Sequence, residues 1–126
     1  METIKLEWCR FSSFAEARSS FRGRPCIYLQ TDPDENILRV GESDDPFERY
    51  KGGTAYALDA AGHKSGKLYF FATVSAESEL RKMIEANLIF YLQPAYNNHH
   101  KKYPPHKRIR FHHVGDVPRV LASCDG

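Results

Sequence analysis

Cysteine is scarce and unpaired in this chain: Cys9, Cys26 and Cys124 include no close-spaced couple, which argues against a disulfide framework. No apolar stretch approaches the roughly 20 residues of a membrane-spanning helix, and nothing resembles a secretory leader. A reduced, cytoplasmic protein with no membrane contact is expected. Internal repeats and low-complexity linkers are missing too, so one continuous domain over 1–126 is the natural division. A large charge imbalance is also lacking: the formal net charge is +2, which by itself names no partner.

What is present is a globular composition. The 126 residues are 41% hydrophobic and 13% aromatic, enough for a single core. Charge is uneven along that length. From Asn98 to His113 the chain carries Lys101, Lys102, Lys107, Arg108 and Arg110 with no acid.

Local patterns predict the elements. Residues 3 to 8 read as a strand, and Ser13-Phe14-Ala15-Glu16 fits a capping box opening a helix that turns Phe14, Ala17 and Phe21 inward. Residues 25–31 and 36–42 are β-prone, with turn chemistry in Asp32-Pro33-Asp34-Glu35, so they form a hairpin. Asp44-Asp45-Pro46 starts a short helix ending near Gly52-Gly53, and residues 54–66 carry no clear signal. Residues 67–74 read as a buried strand. Ser75 then caps a helix with apolar residues at 80, 84, 88 and 91, which Gln93-Pro94 stops. A last strand over 108–114 completes a small α+β domain, in which an antiparallel sheet of three or more strands is flanked by helices. Residues 1–24 are scaffold, 25–98 the core, and 99–126 a basic, histidine-rich extension.

Two features of this layout carry chemistry. With the hairpin turn centred between Pro33 and Asp34, Tyr28 lies across from Arg39. Alternation puts both on one face, while Ile27, Leu29, Leu38 and Val40 share the other. The second feature is Glu85, whose helical neighbours Leu88, Ile89 and Leu92 set it beside an apolar stripe, where an acid needs a partner. Arg81 at i−4 is the ordinary candidate.

In order, these pieces resemble the GIY-YIG nuclease domain of homing endonucleases, some restriction enzymes and the incision subunit of bacterial excision repair. Cys26-Ile27-Tyr28 stands for Gly-Ile-Tyr and Arg39-Val40-Gly41 for Tyr-Ile-Gly. Arg49 follows in the short helix, and Glu85 lies in a helix closed by Pro94-Ala95-Tyr96-Asn97. The resemblance covers about residues 25 to 98. It implies a metal-dependent endonuclease acting on nucleic acid, DNA rather than RNA. Glu85 would bind Mg²⁺ or Mn²⁺ through a carboxylate. Arg49 would hold the scissile phosphate, Asn97 would brace the site, and Tyr28 would orient or deprotonate the attacking water.

The chain also departs from that pattern. Arg39 replaces the second motif's tyrosine, Glu42 stands where many members place a basic residue, Gly53 where many have a histidine or tyrosine, and Cys26 replaces a glycine. A phenol of reference pKa about 10 is only about 0.1% ionised at neutral pH, so Tyr28 needs nearby positive charge, which Arg39 would supply.

The segment 97–113 alternates cations with Tyr103 and Phe111, as suits an arm that follows phosphates while rings stack on bases. Its nucleic-acid contacts would be Lys101, Lys102, Lys107, Arg108 and Arg110. The histidines there lack paired zinc spacing and no cysteine joins them. Two other readings stay open: a nuclease-fold module that binds nucleic acid without cutting, and an interaction domain using the basic segment on an acidic protein. A homodimer or partner protein would be needed for concerted double-strand cleavage.

Overall fold

The computed structural model describes residues 2–12, 14–21, 23–45, 68–74, 77–95, 97 and 100–122. Alternating apolar and polar residues near the start form strand β1 (Glu2–Phe11), longer than the sequence suggests. Helix α1 (Phe14–Phe21) follows, with the Ser12 hydroxyl donating to Glu16 at 3.1 Å. The hairpin strands are β2 (Cys26–Thr31) and β3 (Ile37–Ser43). Then come β4 (Leu68–Thr73), the long helix α2 (Ser78–Leu92), β5 (Ile109–Gly115) and a final turn of helix, α3 (Arg119–Ala122). The predicted short helix carrying Arg49 lies outside the described residues, as do Ser13, Ser75 and Gly53; α2 is capped at Glu77, two residues beyond the Ser75 expected there, with no side-chain cap bond.

The fold class is α+β, and the described residues form a sheet of five strands in the order β3-β2-β4-β1-β5. Neighbours are antiparallel except β1 and β5, which run parallel, so the sheet is mixed where an antiparallel one was expected. The reason is topological. Strand β5 returns to the edge beside β1 only after α2 has crossed one face of the sheet, a connection long enough for a parallel pairing. Gly115 ends β5 at φ +83°, where a side chain would press on the Trp8 carbonyl, and the next amide, Asp116 N–H, donates to that carbonyl at 2.9 Å.

Two hydrophobic layers follow from strand alternation. One face presents Leu6, Trp8, Ile27, Leu29, Val40, Phe70, Ala72, Ile109 and Phe111, and α2 covers it with Ile84, Leu88 and Ile89. The opposite face gathers Cys26, Tyr28, Tyr69 and Phe71 beneath Ala17 and Phe21 of α1. A sheet covered on both faces explains why β2 is buried along its whole length.

The hairpin register differs from the one expected. Tyr28 pairs with Gly41, and Arg39 pairs with Gln30. The cause lies in the turn. Asp32 accepts backbone N–H bonds from Asp34 and Asn36, each at 2.9 Å, and its backbone N–H donates to the Asn36 carbonyl, which moves the loop's centre toward its far end. The pairing also slips next to the turn, where Thr31 meets Ile37 and Leu38 is the extra residue. Leu38 therefore leaves the apolar set with Ile27, and Ile37 packs there instead. Because the net shift beyond this bulge is two residues, the faces are kept, and Tyr28 still shares its face with Arg39.

Candidate functional site

Tyr28 is 2% exposed, and its ring lies directly over the backbone of the edge strand. A Cβ at position 41 would overlap the Tyr28 Cζ and hydroxyl and stand 2.7 Å from Cε2, so only glycine admits the ring there. Gly41 thus has a physical reason to be glycine, since it lets the phenol cross β3 and set its hydroxyl near the sheet edge. Phe71 flanks the ring on the other side, 6.0 Å between centroids.

The register assembles two cross-strand rows on this face. Cys9, Phe71, Tyr28 and Gly41 form one; Phe11, Tyr69, Gln30 and Arg39 form the next. Sequence reading passed over Gln30 and Tyr69. Gln30 is fully buried, yet both heteroatoms of its amide, together with Arg39 Nε, have no hydrogen-bond partner among the described residues. Buried polar atoms in that state are uncommon and invite a functional account. The signal for Gln30 was available: it is an amide following the apolar run Cys26 to Leu29, on the tyrosine's side.

Asn97 reaches β3 from beyond the end of α2. Its side-chain oxygen accepts from Val40 N–H at 2.8 Å, and its amide donates to the Val40 carbonyl at 2.9 Å. One amide side chain thereby pairs with the outer edge of β3 as a neighbouring strand would. The turn that brings it there begins at Gln93, whose left-handed φ of 50° ends the helix ahead of Pro94. Gln93 also donates to the carbonyls of Phe90 and Lys101.

On the α2 side of β3, Glu42 accepts a 2.9 Å bond from Arg81 Nε, with only 6% of the arginine and 11% of the glutamate side chain exposed. This pair ties the edge strand to the helix. It also gives an acid at position 42 a structural role. Glu85 lies one turn beyond Arg81 on the same helical face and is half-buried. Tyr28 and Glu85 thus flank β3 from opposite faces, one directly and one through α2. The outer edge of that strand is where the two faces meet.

Arg49 lies outside the described residues. Among the described residues no three His, Cys, Asp or Glu side chains converge into a metal-binding group. Glu85 is a hard oxygen donor still reachable by solvent, which suits a cation that keeps most of its water and takes one carboxylate. Cys26 is fully buried, and burial pushes its thiol from an ordinary 9.0 up to about 12. It is a small apolar filler beneath α1, not a nucleophile.

The basic segment divides in two. Lys101 turns inward, its ammonium donating to the Pro94 carbonyl at 2.7 Å, so it secures the loop after α2. Lys102, Lys107, Arg108 and Arg110 are exposed. Lys102 sits 5.5 Å over the ring of Tyr103, which is itself 71% exposed. Asn87 anchors the approach to β5 by donating to the Lys107 carbonyl and accepting from Ile109 N–H. No helix among the described residues is long and apolar enough to cross a membrane. No protein-family model matches the chain, no curated protein matches it, and no solved structure matches it.

Proposed function

We propose that the protein is a metal-dependent endonuclease of the GIY-YIG kind that hydrolyses phosphodiester bonds, in DNA rather than RNA. The observation that supports this most is the Tyr28 ring laid across Gly41, with Arg39 on the same face and Asn97 paired to Val40 between them. These are motif residues from three stretches of sequence, meeting on one strand.

On this reading the Tyr28 oxygen orients the attacking water and, in its phenolate form, takes the water's proton. The Arg39 guanidinium, diagonal to it on the sheet, favours the phenolate by its charge. Arg49 holds a phosphate oxygen through its planar fork and meets the charge that builds up there during attack. Glu85 is the ligand for Mg²⁺ or Mn²⁺, which when bound supplies neutralising charge at the phosphate. Asn97 is a positioning residue, since it fixes the strand that carries Arg39 and Gly41. One such site cuts one strand, so cleavage of both requires two copies or two events.

A second reading is favoured by a specific observation: Tyr28 is 2% exposed, and its side chain and α2 lie on opposite faces of the sheet. A module of this kind would bind nucleic acid without cutting it. Plasmid nicking separates the two. Cleavage with Mg²⁺ or Mn²⁺ that Glu85→Ala and Arg49→Ala each reduce at least about 100-fold, the usual size of a lost transition-state contact, supports the enzyme. Retained DNA binding with no cleavage under any divalent metal supports the module.

A further inference from the structure

Far from β3, at the opposite edge of the sheet, α2 and β5 enclose a cavity of about 160 Å³, with α3 closing one end. Leu88, Ile109 and Leu121 form its floor, and all three are buried. The rings of Phe90, Tyr91 and Phe111 stand in its walls, and Asn87, Arg108, Arg110 and His113 complete the lining. Arg108 already stacks its guanidinium over Phe90, 5.7 Å from the centroid.

Shape and chemistry narrow what fits. The volume is close to the roughly 150 Å³ that accepts benzene in an engineered apolar cavity, so the space suits one planar six-membered ring. Aromatic walls favour a ring with a π-face. The arginines are exposed, and no acid occurs in the chain between Glu85 and Asp116, so what adjoins that ring should be anionic. An aliphatic ligand would use the floor and waste the cations; a free anion would use the cations and waste the rings. A pyrimidine nucleotide uses both.

We propose that this cavity receives one unpaired pyrimidine base of a nucleic-acid strand, with Arg108, already turned toward α2, holding its adjoining phosphate. A base can enter only when unstacked, so the site selects single-stranded or distorted nucleic acid. Four interstrand spacings separate β5 from β3, about 19 Å, and the cavity lies on the α2 face whereas the Tyr28 ring lies on the other, so a strand would have to pass around the sheet edge and span some nucleotides to engage both. The cavity gives the domain a means of choosing where to act without a separate recognition module. The choice of ligand rests on the nucleic-acid part of the function proposed above, and not on catalysis.

The chain contains a single tryptophan, and it reports on this cavity. Trp8 Nε1–H donates to His113 Nδ1 at 3.0 Å, and the two rings stack with centroids 6.2 Å apart. In the ¹⁵N-labelled full chain, the one indole cross-peak should therefore shift, saturably, on titration with deoxycytidine monophosphate. Adenosine monophosphate should bind at least about fivefold more weakly, and inorganic phosphate should leave the peak in place. Tyr91 is 53% exposed, so Tyr91→Ala keeps the fold while removing a stacking wall, and should weaken the pyrimidine at least about fivefold. Arg108→Ala should weaken it comparably. The proposal is overturned if no saturable shift occurs, if phosphate alone reproduces it, or if both variants bind as the parent does. Plasmid nicking measured in parallel keeps the two claims apart: nicking without nucleotide binding removes only the cavity, and nucleotide binding without nicking removes only the catalytic reading.

Discussion

The edge at β3 and the edge at β5 treat their polar groups in opposite ways. At β3 they are taken up inside the protein. Asn97 pairs with both backbone groups of Val40, Arg81 reaches from α2 to Glu42, and the Tyr28 ring covers Gly41. At β5 the neighbouring cations Lys107, Arg108 and Arg110 remain exposed beside a cavity with aromatic walls. The first edge is a fixed frame, which the catalytic role proposed for it would need, because a small displacement of a reacting group is costly in rate. The second leaves its cations open to solvent, as the proposed nucleotide subsite would require. Helix α2 joins the two, with Arg81 at its start on Glu42 and Asn87 in its second half bonded around β5.

If the β3 edge is a frame, removing one of its ties should loosen the whole fold. Arg81→Met leaves the Glu42 carboxylate buried without its partner, and should lower stability by about 3 kcal/mol in a denaturant titration. Replacing both partners, Arg81→Met with Glu42→Leu, should restore most of that loss, because the stranded charge is gone. A loss of under about 0.5 kcal/mol for the single variant would reduce the pair to a surface contact.

Gly41→Ala tests the same frame sterically. The added methyl collides with the Tyr28 ring, and the overpacking should cost about 2 kcal/mol. Truncating the ring in a Tyr28→Ala background should make the Gly41→Ala change nearly neutral, and additive effects would show that the ring does not depend on the glycine.

A smaller, pH-dependent effect belongs to Cys26. Its thiol holds its proton in the folded state up to about pH 12, whereas the unfolded chain releases it near 9.0. The stability linked to this group is complete below pH 9 and drains away as pH rises toward 12, at about 1.4 kcal/mol per unit. Cys26→Ala should flatten that part of the pH–stability curve. An unchanged slope would mean that the thiol is not buried as described.

Least stability should be lost at the β5 edge. Arg110→Ala should stay within about 0.5 kcal/mol of the parent, while the slope of log binding against log salt on DNA falls by about one. A large loss of stability there would erase the contrast between the edges.

How far these two edges were legible in the sequence depends on how local their causes are. Alternation in Cys26-Ile27-Tyr28-Leu29 and in Arg39-Val40-Gly41 sufficed to put Tyr28 and Arg39 on one face. It could not give the register, because Asp32 recentres the turn through its own hydrogen bonds and Leu38 bulges. Glu85 beside an apolar stripe was readable from helical period; the partner of Arg81 was not, since Glu42 is 39 residues away along the chain. The resemblance singled out Asn97 at the end of Pro94-Ala95-Tyr96-Asn97, but its target, Val40, depends on how the loop after α2 folds back. The parallel pairing of β5 with β1 is likewise set by where α2 leaves the chain, which no local pattern encodes.

The Tyr28 hydroxyl, held over Gly41 near Arg39, is the group on which the proposed cutting of a phosphodiester depends most. Tyr28→Phe keeps the ring against Gly41 and Phe71 and removes only that oxygen, so the folded state survives. Its single-turnover rate on a short DNA duplex with Mg²⁺, compared with the parent chain, should fall at least about 100-fold, the lower range for loss of a general base. An equal rate in the variant, or no cleavage by the parent under any divalent metal, would contradict that role.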